Sequence, residues 1–510
     1  MKKLVFKIAS AILIVASSTV ESSAQTRKTE IITDKNKLLK LRTDVERNPD
    51  SLSYHQKYIE AMGLENPKVT QQYAVWMSKF PKNANIPYAI AEAYLGEEDP
   101  KAKSYLLKAV EINPSFSDAW AGLWIDGERW GDFKLANSYL KKATETDPSN
   151  PSYAFYYANS FYNNDKETYE KLSLDVVSRF PSSERGAQAL YWLATRSNDP
   201  LTKRKYYEML KKKYSPQDFN WSASGMPQYF ELLLSHDPAS ALSLAKEMES
   251  KESGEDRQWQ AHVDLADRIV KAKNLLKEGK VTDASEVLDN IKLSRRSRFG
   301  NDLILLKAQA AHVGGNTLAA YESIIKAFVT APTVRLMDAI KMYGKMIGKD
   351  DADNEANIFS KIDAQSELAT PFIGLKRYLN EGTASLSDFK GKVLLLTYWF
   401  PGCGPCRGEF PHFENVIRKF TGKDVDYVGI NIVSRQNDYV VPFMKSTRYS
   451  FTPLEDVEGR NKGNLDNGGA APVNFLIDKN GYLTFSDFRT DGDNEEDLEL
   501  MINLLLRKKS

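Results

Sequence analysis

The stretch YWFPGCGPCRGEFP, Tyr398–Pro411, holds both cysteines of a 510-residue chain, Cys403 and Cys406, as a C-x-x-C. It follows LSDFKGKVLLLTYWF, whose unbroken apolar run Val393–Phe400 is what a strand buried on both faces of a sheet requires. Further on, DVDYVGINIV (424–433) predicts a second such strand and VNFLID a third. DKNG, Asp478–Gly481, predicts a turn into YLTFSDF, and Glu495–Arg507 a closing helix. Strands of this kind separated by helical segments indicate an α/β region.

The cysteine pair therefore falls where a buried strand ends and a helix begins. Free N–H groups and the positive end of the helix dipole favour an anion there, so Cys403 should ionise more readily than Cys406, one turn deeper. The thiolate is the attacking species in disulfide exchange. Pro405 suits the first helical turn, where no N–H is needed, and Gly404 leaves room beside Cys403 for another chain. Two other uses of the pair stand beside redox chemistry. A structural bridge over so short a loop removes little unfolded-state entropy. A zinc site needs four ligands, yet no other cysteine exists and His412 is the only histidine after Lys361.

Working toward the N-terminus, prolines recur in similar settings at Pro49, Pro81, Pro114, Pro148, Pro181 and Pro216, spaced 32, 33, 34, 33 and 35 residues apart. A period near 34 predicts stacked pairs of antiparallel helices, each pair closed by its proline. The best unit is Ser117–Pro148. In it Ala136 and Ala143 let helices approach while Trp120, Leu123, Tyr139 and Leu140 fill the space between them. One such unit cannot cover its own apolar face, so the units must stack. Beyond Pro216 the period loosens, although GKVTDASEVLDNI and GGNTLAAYESIIKAFVTAP each repeat a turn and second helix. The aromatics Tyr153, Phe155, Tyr156, Tyr157, Phe161 and Tyr162 fit packing between helices, or a groove that grips a partner protein.

The first residues, MKKLVFKIASAILIVASSTVESSA, place Lys2, Lys3 and Lys7 before a short apolar stretch, Ile8–Ala16, and end in small residues. This is the layout of a secretory signal over residues 1–24, because the apolar core falls well short of the roughly 20 residues a spanning helix needs. The expected mature chain is exported, to a bacterial periplasm, without a membrane span. Lys+Arg 69 against Asp+Glu 68 leaves a net charge of +1 and no basic arm, which argues against nucleic acid as a partner.

With these motifs in place, residues 363–507 resemble the thioredoxin superfamily and, within it, the exported TlpA/ResA type. The resemblance rests on LSDFKGKVLLLTYWF, on GCGPCRGEFP, and on GGAAPVNFLIDKNGYL, Gly468–Leu483. It implies a redox-active Cys403/Cys406 pair. It places Pro472 at the family's cis-proline, which offers backbone to a substrate strand, and Glu409 at a glutamate linked to thiol ionisation and proton transfer. Glu409 could instead be a solvated carboxylate on the helix face. Pro411 matches a proline that kinks the helix. Two positions depart from the pattern: Thr397 stands where thioredoxin has a buried aspartate, and Gly402 where relatives carry tryptophan. The repeats resemble tetratricopeptide proteins.

The expected architecture is multidomain: a signal peptide (1–24), a tetratricopeptide-like all-α solenoid (25–360) and a thioredoxin-like α/β domain (361–510). The expected function is thiol–disulfide oxidoreductase, reducing protein disulfides with no cofactor and no metal, and recharged by a membrane electron donor. The repeats would recruit the substrate. The alternative is a scaffold of repeats with a regulatory redox domain.

Overall fold

The computed structural model of the protein describes residues 34–252, 258–293 and 297–508. The secretory signal expected over residues 1–24 lies outside the described residues. Among those described, nineteen α-helices run from Lys35 to Gln365, and the β-strands follow them.

The prolines of the 34-residue period do what their chemistry predicts. Helices end at Arg47, Lys79, Ile112, Thr146 and Arg179, each two residues before its proline, and at Lys213, three before Pro216. Stacking is visible as hydrogen bonds between residues about one period apart. Asn83 Nδ2 donates to Asp50 Oδ1 at 2.8 Å, Tyr153 Oη to Asp118 Oδ1 at 2.6 Å, and Lys211 pairs with Glu247. The pattern persists where the sequence period loosens, since Gln365 Nε2 donates to Val329 O at 2.6 Å. In the unit Ser117–Pro148, Ala136, Ala143, Leu123 and Leu140 are fully buried, and Trp120 stacks on Tyr139 with ring centroids 5.8 Å apart. Gly127 has a packing reason of its own: a Cβ there would sit 3.1 Å from that of Ala136.

The chain gathers into two compact units. The first comprises the described residues up to Tyr153 together with Arg435–Thr447. Its core runs from Val45 to Leu123 and includes the fully buried Tyr73, Trp76 and Ile90. The segment 435–447, far away in sequence, packs into this unit through helix Asn437–Thr447. Tyr439 donates to the buried Asp126 at 3.0 Å, Ser446 Oγ donates to Gly131 O at 2.9 Å, and Phe443 meets Phe133 edge-on.

The second unit comprises Ala154–Ser434 and the residues from Arg448 onward. It holds the remaining repeat helices, with a core from Ala154 to Ala310, and the α/β region. The strands are β1 (Glu367–Leu368), β2 (Leu375–Lys376), β3 (Thr383–Ala384), β4 (Val393–Trp399), β5 (Val425–Asn431), β6 (Thr452–Glu455), β7 (Val473–Ile477) and β8 (Tyr482–Ser486). Six of them form one sheet in the order β1-β8-β7-β4-β5-β6, and β2 and β3 form a separate antiparallel pair. Strand β4 is central, parallel to β5 and antiparallel to β7, and all seven of its residues are buried, as its apolar run predicts. Helix α1 (Gly404–Arg418) follows β4 and helix α2 (Glu495–Arg507) closes the region. Within this unit the α/β region is tied to repeat helices at both ends of α2. Asp497 accepts from Val334 N at 2.8 Å and Arg507 pairs with Glu355 at 2.5 Å.

Candidate active site

Strand β4 delivers the chain to the site. After Trp399 a short turn, closed by Cys403 N donating to Phe400 O at 3.0 Å, brings Cys403 to the N-cap of α1. Cys403 and Cys406 are joined by a disulfide with Cα atoms 5.3 Å apart, and Cys406 N donates to Cys403 Sγ at 3.2 Å. The cap position is thus filled by a sulfur, which places it against free N–H groups at the positive end of the helix. Pro405 lies in the first turn, as expected. Cys403 is only 2% exposed, whereas its neighbours Gly404 and Pro405 are exposed. A Cβ on Gly404 would meet nothing closer than Arg407 Nη2 at 4.0 Å, so the space beside the cysteine is open on that side.

Pro472 is brought to the same sheet edge by register. Tyr398 pairs with Val473 across β4 and β7, so Pro472, one residue further, lies at the end of β4 from which the turn to Cys403 departs. The Ala471–Pro472 peptide bond is cis. The turn before it is braced by Asn467, which donates to Ala470 O at 2.7 Å and accepts from Lys462 at 2.6 Å.

Glu409 lies one turn beyond Cys406 on α1 and is 4% exposed. The alternative of a solvated carboxylate is therefore excluded: the side chain turns inward, where three donors from two segments, strand β7 and the loop at 489–490, meet it. Arg489 Nε stands 2.7 Å from Oε1, Thr490 N donates to the same oxygen at 2.9 Å, and Asn474 Nδ2 lies 3.3 and 3.2 Å from the two oxygens. Burial pushes its proton affinity above the ordinary carboxylate range, and the Arg489 charge, the Thr490 N–H and the Asn474 amide oppose that shift. A carboxyl so placed holds a proton more tightly than an exposed one, and it lies one turn from Cys406.

Thr397, at the thioredoxin aspartate's position, is fully buried and donates to Asn474 Oδ1 at 2.7 Å. Asn474, Arg489 and Thr490 escaped the sequence reading. Only Asn474 carried a signal, as the one amide in the apolar run VNFLI, because a polar group in a buried strand has to find a partner. Among the described residues, no group of three or more His, Cys, Asp or Glu side chains is arranged to hold a metal ion.

Residues 364–502 match the Redoxin family. The C-terminal region is a redoxin domain. The thiol-disulfide oxidoreductase ResA of Bacillus subtilis (strain 168) is 34% identical over 98 residues, which cover 19% of this chain and 54% of ResA. The ResA of Oceanobacillus iheyensis is 28% identical over 118 residues, 22% of this chain and 60% of that protein. The chain thus spans little more than half the length of these curated relatives. Among solved structures, a thiol:disulfide interchange protein of the thioredoxin family from Chlorobium tepidum TLS is 22% identical, with 28% of this chain covering 99% of it at a TM-score of 0.24. Among the described residues, no helix is long and apolar enough to cross a membrane.

Proposed function

We propose that the protein is an exported thiol–disulfide oxidoreductase that reduces protein disulfides through Cys403 and Cys406. The observation that carries the reading is the cysteine pair at the N-cap of α1 inside the redoxin domain, with Glu409 buried one turn behind. In the reducing direction the Cys403 thiolate attacks one sulfur of a substrate disulfide, forming a mixed disulfide and releasing the other substrate sulfur as a thiolate, which takes up a proton. The Cys406 thiol then gives its proton to Glu409, and its sulfur attacks Cys403 Sγ. That closes the Cys403–Cys406 bond and releases the second substrate thiolate, which is protonated in turn. Two electrons pass from the dithiol to the substrate. Pro472, at the same sheet edge, offers backbone to the substrate strand.

Residues 1–24 act as the export signal, 25–360 as a tetratricopeptide-like region that recruits substrate, and 361–510 as the catalytic domain. The dipeptide between the cysteines, Gly404-Pro405, resembles that of reducing members, so the pair is recharged by a membrane electron donor outside the cytosol. Holding substrate on the repeats raises its effective concentration at the dithiol. The test is reduction of a protein disulfide by the purified full-length chain. Activity that requires Cys403 supports the reading, and activity surviving Cys403→Ser overturns it.

A second reading, a repeat scaffold whose disulfide state controls docking, draws on the burial of Cys403 and on the packing of segment 435–447 into the first unit. Partner capture that differs between the oxidised wild type and Cys403→Ser, with no turnover by the wild type, would favour it.

A further inference from the structure

Strand β7 carries a single amide in an otherwise apolar run, and that amide, Asn474, is 1% exposed. A side-chain amide withdrawn from water must be bonded. Its Oδ1 accepts from Thr397 Oγ1 at 2.7 Å. Its Nδ2 faces both oxygens of Glu409, at 3.3 and 3.2 Å, and the Phe488 carbonyl at 3.0 Å. Chemistry fixes the orientation of this amide: turned over, it would set its oxygen against a carboxylate and a carbonyl, neither of which can donate. Thr397 is the direct cross-strand partner of Asn474 in the β4–β7 register, so the anchor is held by the sheet itself. Four segments, β4, β7, α1 and the 488–490 loop, converge on one carboxylate through this residue.

We propose that Asn474 is the positioning residue of the redox site: anchored to Thr397 across the sheet, it holds the Glu409 carboxylate in the orientation in which it takes the proton of Cys406. The inference rests on the exchange reading above and deepens it. Without Asn474, Glu409 would keep Arg489 and Thr490 on Oε1 but lose the donor shared with Oε2 and the tie to the sheet that carries Cys403. The charged and titratable groups facing Glu409 are Arg489 from the loop and Tyr427 from β5, with the cysteine pair one turn back on α1. Tyr427 is buried and stays protonated, its proton affinity raised by burial and further by Glu409.

The role makes a kinetic prediction that a purely structural one does not. A reduced dithiol reacts with Ellman's reagent in two phases: attack by Cys403, then release of the second chromophore as Cys406 closes the disulfide. Only the second phase depends on proton loss from Cys406. Removing a donor from the carboxylate favours its protonated form, so Glu409 accepts the thiol proton only at higher pH.

The experiment is stopped-flow measurement of both phases against pH in the full-length chain. In Asn474→Ala the second-phase inflection is expected to move up by about one pH unit, the scale of one hydrogen bond to a charged group. The first phase should stay in place. Asn474→Asp, which keeps the acceptor for Thr397 but sets a second carboxyl against Glu409, is expected to move it further. Thr397→Val, which removes the anchor alone, is expected to give a smaller shift in the same direction and keeps the test alive should Asn474→Ala fail to fold. In a Glu409→Gln background none of these changes should shift the profile. A second-phase profile in Asn474→Ala or Asn474→Asp that superposes on the wild type, or a shift that persists without Glu409, would overturn the proposal. Absence of both phases in the wild type would instead count against the exchange reading.

Discussion

The Tyr439 hydroxyl donates to Asp126 Oδ1 at 3.0 Å, joining a helix that lies between β5 and β6 in sequence to a repeat helix more than 300 residues earlier. Asp126 is fully buried and its proton affinity is pushed up to about 6, chiefly by burial. Tyr439, Lys103, Arg129 and Trp130 oppose the shift without cancelling it.

A pH dependence follows from that contact. The folded value of about 6 lies above the ordinary 3.8, so the folded unit holds the proton more tightly. The stabilisation is therefore complete below about 3.8 and is lost as pH rises through about 6. The difference amounts to about 3 kcal/mol at most. Asp126→Asn should abolish this dependence in thermal unfolding while keeping the acceptor for Tyr439. An unchanged pH profile in that variant would assign the dependence elsewhere.

Gly131 controls how closely the same helix approaches. Its φ is +72°, and a Cβ there would stand 3.0 Å from the Phe443 ring and 3.1 Å from its backbone. Gly131→Ala should loosen segment 435–447 by about 1–3 kcal/mol, through strain and overpacking together. Hydrogen exchange within 437–447 should accelerate accordingly, while the repeat core around Trp76 keeps its protection.

Much of this was readable in advance, for reasons that differ by element. Strand β4 announces itself because a strand buried on both faces needs an unbroken apolar run, and the helix stops announce themselves because proline cannot continue a helix. Strand β6, TPLE, is short, carries a proline and sits at the sheet edge, so it leaves no such pattern. Cys403, Cys406, Glu409 and Pro472 lie in local motifs. Arg489 reaches Glu409 across 80 residues, and nothing local marks an exposed arginine for that contact. The packing of segment 435–447 with residues before 153 was equally silent. An amphipathic helix shows that it has an apolar face, and leaves open what covers that face.

The repeat stack should be sensitive to volume at its closest approaches. Leu140 is fully buried in the best-formed unit, and Leu140→Ala should cost about 2–5 kcal/mol by the cavity it leaves. Ala143→Leu, at a fully buried small position, should cost about 1–3 kcal/mol by overpacking. Urea unfolding followed by circular dichroism measures both.

Glu409 should matter for rate more than for fold. Glu409→Gln removes a buried charge and keeps the residue's shape, so melting temperature should change little. Proton transfer from Cys406 loses its acceptor, and the resolving step should slow by about a hundredfold. Attack by Cys403 should be nearly unaffected. Equal slowing of both steps would place Glu409 outside the proton path.

In the proposed exchange Cys403 is the nucleophile and Cys406 the resolving thiol. The most direct test of these roles is to react the reduced full-length Cys406→Ser variant with a disulfide-bonded protein and map the covalent adduct by peptide mass spectrometry. A stable mixed disulfide at Cys403, which the wild type does not accumulate, is expected. No adduct at Cys403 under conditions where the wild type reduces the same protein would contradict these roles.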